Sequence, residues 1–300
     1  MLLIHHAAHR GFRYPPGSLS GLADCLMAHA QVVEIDVAPL ADGDFALVHD
    51  ARLEAATDGH GPVAAATAAQ LAGLHRRWRG AITNEPVGLL SQAIELLRDH
   101  PATQELQLDL KPHAPLTEAV LERLLRLVEP VTRRVRVTSV ADWALRRLAV
   151  LDADLATGFD PLLYLDVERS AGSDAGTPPL RMGAYGYLDE HPLATQQWGS
   201  PADYLATRAE ALWAQTPARV WYIRGATLAR SLDDGFDWIA WLHGRGAQVA
   251  AWTLDADKPH QLDLARQLAA QGVDRITTND APRLAEALKV TGSSESAGHF

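Results

Sequence analysis

Residues able to do chemistry fall in short groups along this 300-residue chain, each at or just after an apolar run. His9 and Arg10 precede Gly11, Glu34 and Asp36 alternate within "VEIDV", and His49 and Asp50 follow "FALV". Asp109 and Lys111 alternate within "LQLDLK", and Trp252 and Thr253 follow "VAA". In an extended strand residues two apart share a face, so Glu34 projects with Asp36, and Asp109 with Lys111. Two buried carboxylates on one face repel, so either a cation neutralises them or one keeps its proton. Three carboxylates with room for water suit a hard divalent ion, Mg2+ or Ca2+, whereas Zn2+ sites favour His and Cys. The plainer alternative is a set of salt-bridged acids at strand ends. His9 and His49, each a common hydrogen-bonded structural residue when taken singly, together could give and take a proton near neutral pH. Arg10 has the planar fork that a phosphate oxygen needs, and Gly11 beside it allows close backbone approach.

The elements that would position these groups follow from periodicity. Short Val-, Ile- and Leu-rich runs predict strands at 2–7, 32–37, 45–50, 106–111, 134–139, 155–159, 219–224, 248–254 and 274–279. Helical spacing predicts helices at 18–30, 89–99, 115–128, 141–150, 202–214, 232–245 and 258–271. Seven to nine strands alternating with helices suit a single-domain α/β fold, a closed (β/α)8 TIM barrel over residues 1–290, better than a doubly wound open sheet. In such a barrel reactive groups gather at the carboxyl ends of the strands, where all of these polar groups fall. Residues 168–200 read as a long structured loop able to cover the barrel mouth, with Tyr185, Tyr187 and Trp198 as lid or packing residues, and 291–300 as a disordered tail.

A formal net charge of −10 argues against nucleic acid or an anionic bilayer as a general partner, so a phosphate-bearing ligand needs a local positive pocket. The single cysteine excludes an internal disulfide, and no apolar run spans a bilayer, so the expectation is a cytoplasmic protein without stable membrane insertion that acts on a small molecule.

In order and spacing, "AHRG" at 8–11, "VEIDV" at 33–37, "DGDFALVHDARLEAATDGHG" at 42–61, "LQLDLK" at 106–111, "VTS" at 137–139, "WTL" at 252–254 and "VDRITTNDAP" at 273–282 resemble the glycerophosphodiester phosphodiesterase family. The resemblance implies a TIM barrel that hydrolyses glycerophosphodiesters to glycerol phosphate and an alcohol with a divalent metal, and so a place in lipid and glycerol metabolism. Carried over position by position, it implies His9 and His49 as the acid and base, Arg10 and Lys111 as phosphate contacts, and Glu34, Asp36 and Asp109 as metal ligands. Trp252, with Trp221 and Tyr222, is read as a pocket wall or as core, and His5 and His6 as core or barrel-interior residues. The family's usual "PENT" is replaced by Pro15, Pro16, Gly17 and Ser18, so its acid and amide are missing, and Asp109 stands where Glu is more common. Two alternatives are a lysophospholipase D-like enzyme with an apolar mouth built by 160–215, and a weakened barrel that only binds phosphodiesters.

Overall fold

The computed structural model describes residues 1–166, 200–216 and 218–289. Eleven strands occur among them: β1 Leu2–His5, β2 Val32–Pro39, β3 Phe45–Ala46, β4 His75–Trp78, β5 Ala81–Pro86, β6 Glu105–Leu110, β7 Val135–Ser139, β8 Ala156–Phe159, β9 Val220–Arg224, β10 Gln248–Trp252 and β11 Arg275–Thr278. Eight of them, β1, β2 and β6 to β11, run parallel in one sheet. It closes because Ile4 of β1 sits level both with Val32 of β2 and with Thr277 of β11. The fold is thus a (β/α)8 barrel.

Strand alternation divides the apolar residues between two cores. Val33, Ile35, Leu106, Leu108, Val137, Trp221, Ile223 and Val249 face outward into the layer shared with the helices. Ile4, Val32, Val220, Tyr222 and Ala250 fill the barrel interior instead. The helices bury the matching stripe: Glu118–Val128 turns Leu121, Leu124 and Val128 inward at the spacing of one face. Trp221 lies in the outer layer, stacked against Trp213 and Trp238, so it is core and no part of a pocket.

Three expectations change. The run 45–50 is no barrel strand: only Phe45 and Ala46 pair, antiparallel to the end of β2. The chain has four residues between Leu40 and Phe45, enough for a hairpin return, whereas a parallel neighbour needs a crossover of a dozen or more. The helix expected at 232–245 is two, Gly225–Asp233 and Trp238–His243, separated at Gly235, whose φ of 90° ends the first. The β4–β5 hairpin was not foreseen, because its sequence lacks apolar alternation; its turn, Arg79 and Gly80, holds φ of 51° and 82°. The loop expected at 168–200, with Tyr185, Tyr187 and Trp198, and the tail at 291–300 lie outside the described residues.

Candidate active site

Glu34 and Asp36 of β2 and Asp109 of β6 point into the barrel mouth, Asp36 paired in register with Asp109. One carboxylate oxygen from each falls within 4.8 Å of the other two. Lys111, one residue past β6, lays Nζ between two of them, 2.8 Å from Asp36 Oδ1 and 2.6 Å from Asp109 Oδ2. Lys111 and His49 hold Asp36 below the ordinary carboxylate range despite its burial. Glu34 has no such ammonium; burial, then repulsion by Asp36, push it up to about 8. The amide of Ala7 donates to Glu34 Oε2 at 2.7 Å. Oxygen atoms on opposite sides of one hard cation are roughly 4 to 5 Å apart, so the trio fits such an ion.

The histidine beside this cluster is His6. Because Ile4 is level with Val32, the next inward position of β1's line falls level with Glu34, and His6 Nε2 lies 4.0 Å from Glu34 Oε2. Its Nδ1 is 2.8 Å from Asn279 Oδ1. Asn279 is itself oriented by Asp255, to which its backbone N–H and its side-chain amide each donate at 2.8 Å. That network assigns the proton to Nδ1 and leaves Nε2 facing the mouth. Burial opposes protonation of His6, but Glu34, Asn279 and Asp36 outweigh it and raise the imidazole above its ordinary value. His49 reaches the same cavity from the irregular segment after β3, two-thirds exposed, with Nδ1 3.4 Å from Asp50 Oδ1.

His9 and Arg10 do not line this cavity. After β1 a tight 3-10 turn, His6–Ala8, with φ of 47° at Ala7 and 54° at Ala8, carries the chain off the barrel axis. His9 is consequently buried against Phe12, and desolvation, with the His6 charge next, lowers it to about 4. Arg10 turns outward to Asp24, 3.7 Å away. The structure therefore brings His6, and not the His9 expected from the "HRG" pattern, to the cavity; the alternation Ile4, His6 was the signal for that placement.

The cavity is about 390 Å3. Trp252 forms part of its wall, with its indole N–H donating to the Tyr222 carbonyl at 3.1 Å, and Tyr222 lies across the barrel where Gly158 leaves room. A Cβ at Gly158 would meet the Tyr222 ring at 2.5 Å. Three buried polar atoms on its lining residues, Gln107 Oε1, Tyr222 OH and Thr277 Oγ1, have no hydrogen-bond partner. Asp160, also on the wall and not foreseen from sequence, is raised well above the usual carboxylate value by burial and by Asp109. The loop that lacks the "PENT" acid is held from the hairpin: Arg76 donates to the Pro16 and Gly17 carbonyls at 2.7 and 2.6 Å and to the Leu47 carbonyl. Glu85 accepts from the Ser20 amide at 3.1 Å and the Ser20 hydroxyl at 2.9 Å.

The sequence pattern of the glycerophosphoryl diester phosphodiesterase family matches residues 9–282. No curated protein matches the chain. Among solved structures it is similar to an Oleispira antarctica phosphodiesterase in complex with the product sn-glycerol-3-phosphate, at 21% identity and a TM-score of 0.67, over 96% of this chain and 97% of that one. It is also similar to a glycerophosphodiester phosphodiesterase from Parabacteroides distasonis, at 15% identity and a TM-score of 0.67, over 97% and 98%. At such identities the structural likeness concerns the barrel, while the sequence match spans nearly the whole chain. The chain therefore belongs to the glycerophosphoryl diester phosphodiesterase family and is a phosphodiesterase of that family.

Proposed function

We propose that the chain hydrolyses glycerophosphodiesters to glycerol phosphate and an alcohol in a reaction dependent on Mg2+ or Ca2+. His6 and His49 are the proton-transferring pair, Lys111 contacts the phosphate, and Glu34, Asp36 and Asp109 hold the cation. The observation that carries this reading is the convergence of the Glu34, Asp36 and Asp109 carboxylates with the Lys111 ammonium and two imidazoles on a single cavity. Three ionised carboxylates against one ammonium leave a charge of −2, which a divalent ion cancels. When bound, the ion neutralises charge on the non-bridging phosphate oxygens.

The chain's own residues supply the rest. Lys111, with one proton beyond the two shared with Asp36 and Asp109, can donate to a phosphate oxygen. His6, fixed through Nδ1, presents Nε2 to take a proton from an attacking oxygen, whether of water or of a neighbouring substrate hydroxyl. His49 can protonate the leaving oxygen. Trp252 gives the glycerol an apolar wall, and the unpaired Gln107, Tyr222 and Thr277 atoms can meet its hydroxyls. His9 and Arg10, away from the cavity, take no part. The residues 160–215 that would build a lipid-binding mouth lie largely outside the described residues, and no described helix is long and apolar enough to cross a membrane.

The test is release of glycerol phosphate from glycerophosphocholine or glycerophosphoethanolamine by the purified protein with either metal. Release that a chelator abolishes, and that falls by roughly 10²- to 10⁴-fold in His49→Ala, is expected. No release with either ion, or release indifferent to the chelator, contradicts the reading.

A further inference from the structure

Past His49 lies a second hollow of about 280 Å3, which shares Pro16, Asp36 and His49 with the first and is walled on its far side by the β4–β5 hairpin. That wall carries Arg76, Arg77, Trp78 and Arg79, three guanidiniums in four residues of a chain with a net charge of −10. Arg76 is spent on three backbone carbonyls. Arg77 and Arg79 are exposed and donate hydrogen bonds to backbone only, with Nη2 3.4 Å from the Thr57 carbonyl and 3.5 Å from the Phe12 carbonyl respectively. Among the described residues neither has a carboxylate within ion-pair distance. The face of Trp78 is already covered by the Arg79 guanidinium at 4.2 Å, so it is closed to the quaternary ammonium that a bare aromatic face would attract. Of the two acids lining the hollow, Asp36 is neutralised by Lys111 and Asp50 sits beside His49.

We propose that this hollow receives the alcohol half of the diester and selects alcohols carrying a further anionic group, a phosphate or carboxylate bound by Arg77 and Arg79. The inference rests on the hydrolysis proposed above. A phosphodiester held at Lys111 has two arms. One faces Trp252 and the unpaired hydroxyl partners, which suit glycerol, and the other passes the proton donor His49 into the arginine-lined space. A cationic head group would meet two uncompensated guanidiniums there; an anionic one would complete them.

The experiment compares kcat/KM of the metal-loaded enzyme on glycerophosphocholine, glycerophosphoglycerol and glycerophosphoinositol 4-phosphate. Alongside it, calorimetry follows binding of the product alcohols choline and inositol 4-phosphate, which needs no turnover. Two guanidiniums at an exposed site should make the anionic substrate better than the choline one by about tenfold. The double variant Arg77→Ala/Arg79→Ala should erase that difference and leave glycerophosphoglycerol unchanged; Arg77→Glu/Arg79→Glu should reverse it. Equal kcat/KM on all three, or variants that weaken all three alike, overturns the inference while leaving the hydrolysis intact. If no diester is cleaved yet inositol 4-phosphate still binds the wild type about tenfold tighter than the alanine variant, the hydrolysis fails and the anion-selective hollow stands.

Discussion

At the scale of single residues the site is a problem of charge, and Glu34 is where it is least resolved. Lys111 satisfies Asp36 and Asp109, whereas Glu34, buried beside Asp36, is pushed up to about 8 and carries a proton at neutral pH. A cation that takes Glu34 as ligand must displace that proton. Metal affinity should therefore rise about tenfold per pH unit from pH 6 towards 8 and level off above it, as calorimetry in buffers of different ionisation enthalpy can read. In Glu34→Gln the slope should vanish, with weaker binding at every pH. The carboxylates and Lys111 were legible in the sequence because alternation in a strand is short-range and fixed. The placement of His6 in the cavity was legible by the same rule, from its parity with Ile4, but the "HRG" tripeptide three residues later drew the reading to His9, which does not line it.

At the scale of elements, two arrangements hold the mouth and the base of the barrel. Arg76 of β4 is buried, lowered by desolvation to about 10, and donates to two carbonyls of the loop that replaces the missing acid and amide and to the Leu47 carbonyl. Arg76→Ala strands three carbonyls around a void and should lower stability by about 2–4 kcal/mol in urea unfolding. At the opposite, strand-start end Glu105 is gripped by Arg136 and Arg275, at 3.0 and 2.6 Å. Burial opposes ionisation of Glu105, but the two guanidiniums keep it below its ordinary value of 4.5. A depressed carboxylate stabilises the fold fully above its unfolded value and loses that contribution as pH falls through the folded one. Glu105→Gln, which leaves two buried guanidiniums without their acid, should cost about 3 kcal/mol at pH 7 and remove part of the acid sensitivity of thermal unfolding below pH 4.5. The hairpin that supplies Arg76 escaped a periodicity reading, since its value lies in one long-range side chain and not in an apolar stripe.

For the whole molecule, the alternation of strand and helix announced a barrel, and the strand ends announced where its chemistry collects. What the sequence could not show was how the chain leaves β1. That depends on a 3-10 turn with two alanines at positive φ, a local geometry without a residue signature such as glycine. The central claim is that the barrel hydrolyses a glycerophosphodiester with His6, and not the motif-borne His9, as its proton-transferring partner. Metal-dependent release of glycerol phosphate from glycerophosphocholine should be measured side by side for the wild type, His6→Ala and His9→Ala, with thermal unfolding confirming that each is folded. Turnover is expected to fall roughly 10²- to 10⁴-fold in His6→Ala and to stay within about tenfold of wild type in His9→Ala. Full turnover in folded His6→Ala, or its loss in folded His9→Ala alone, would contradict the account.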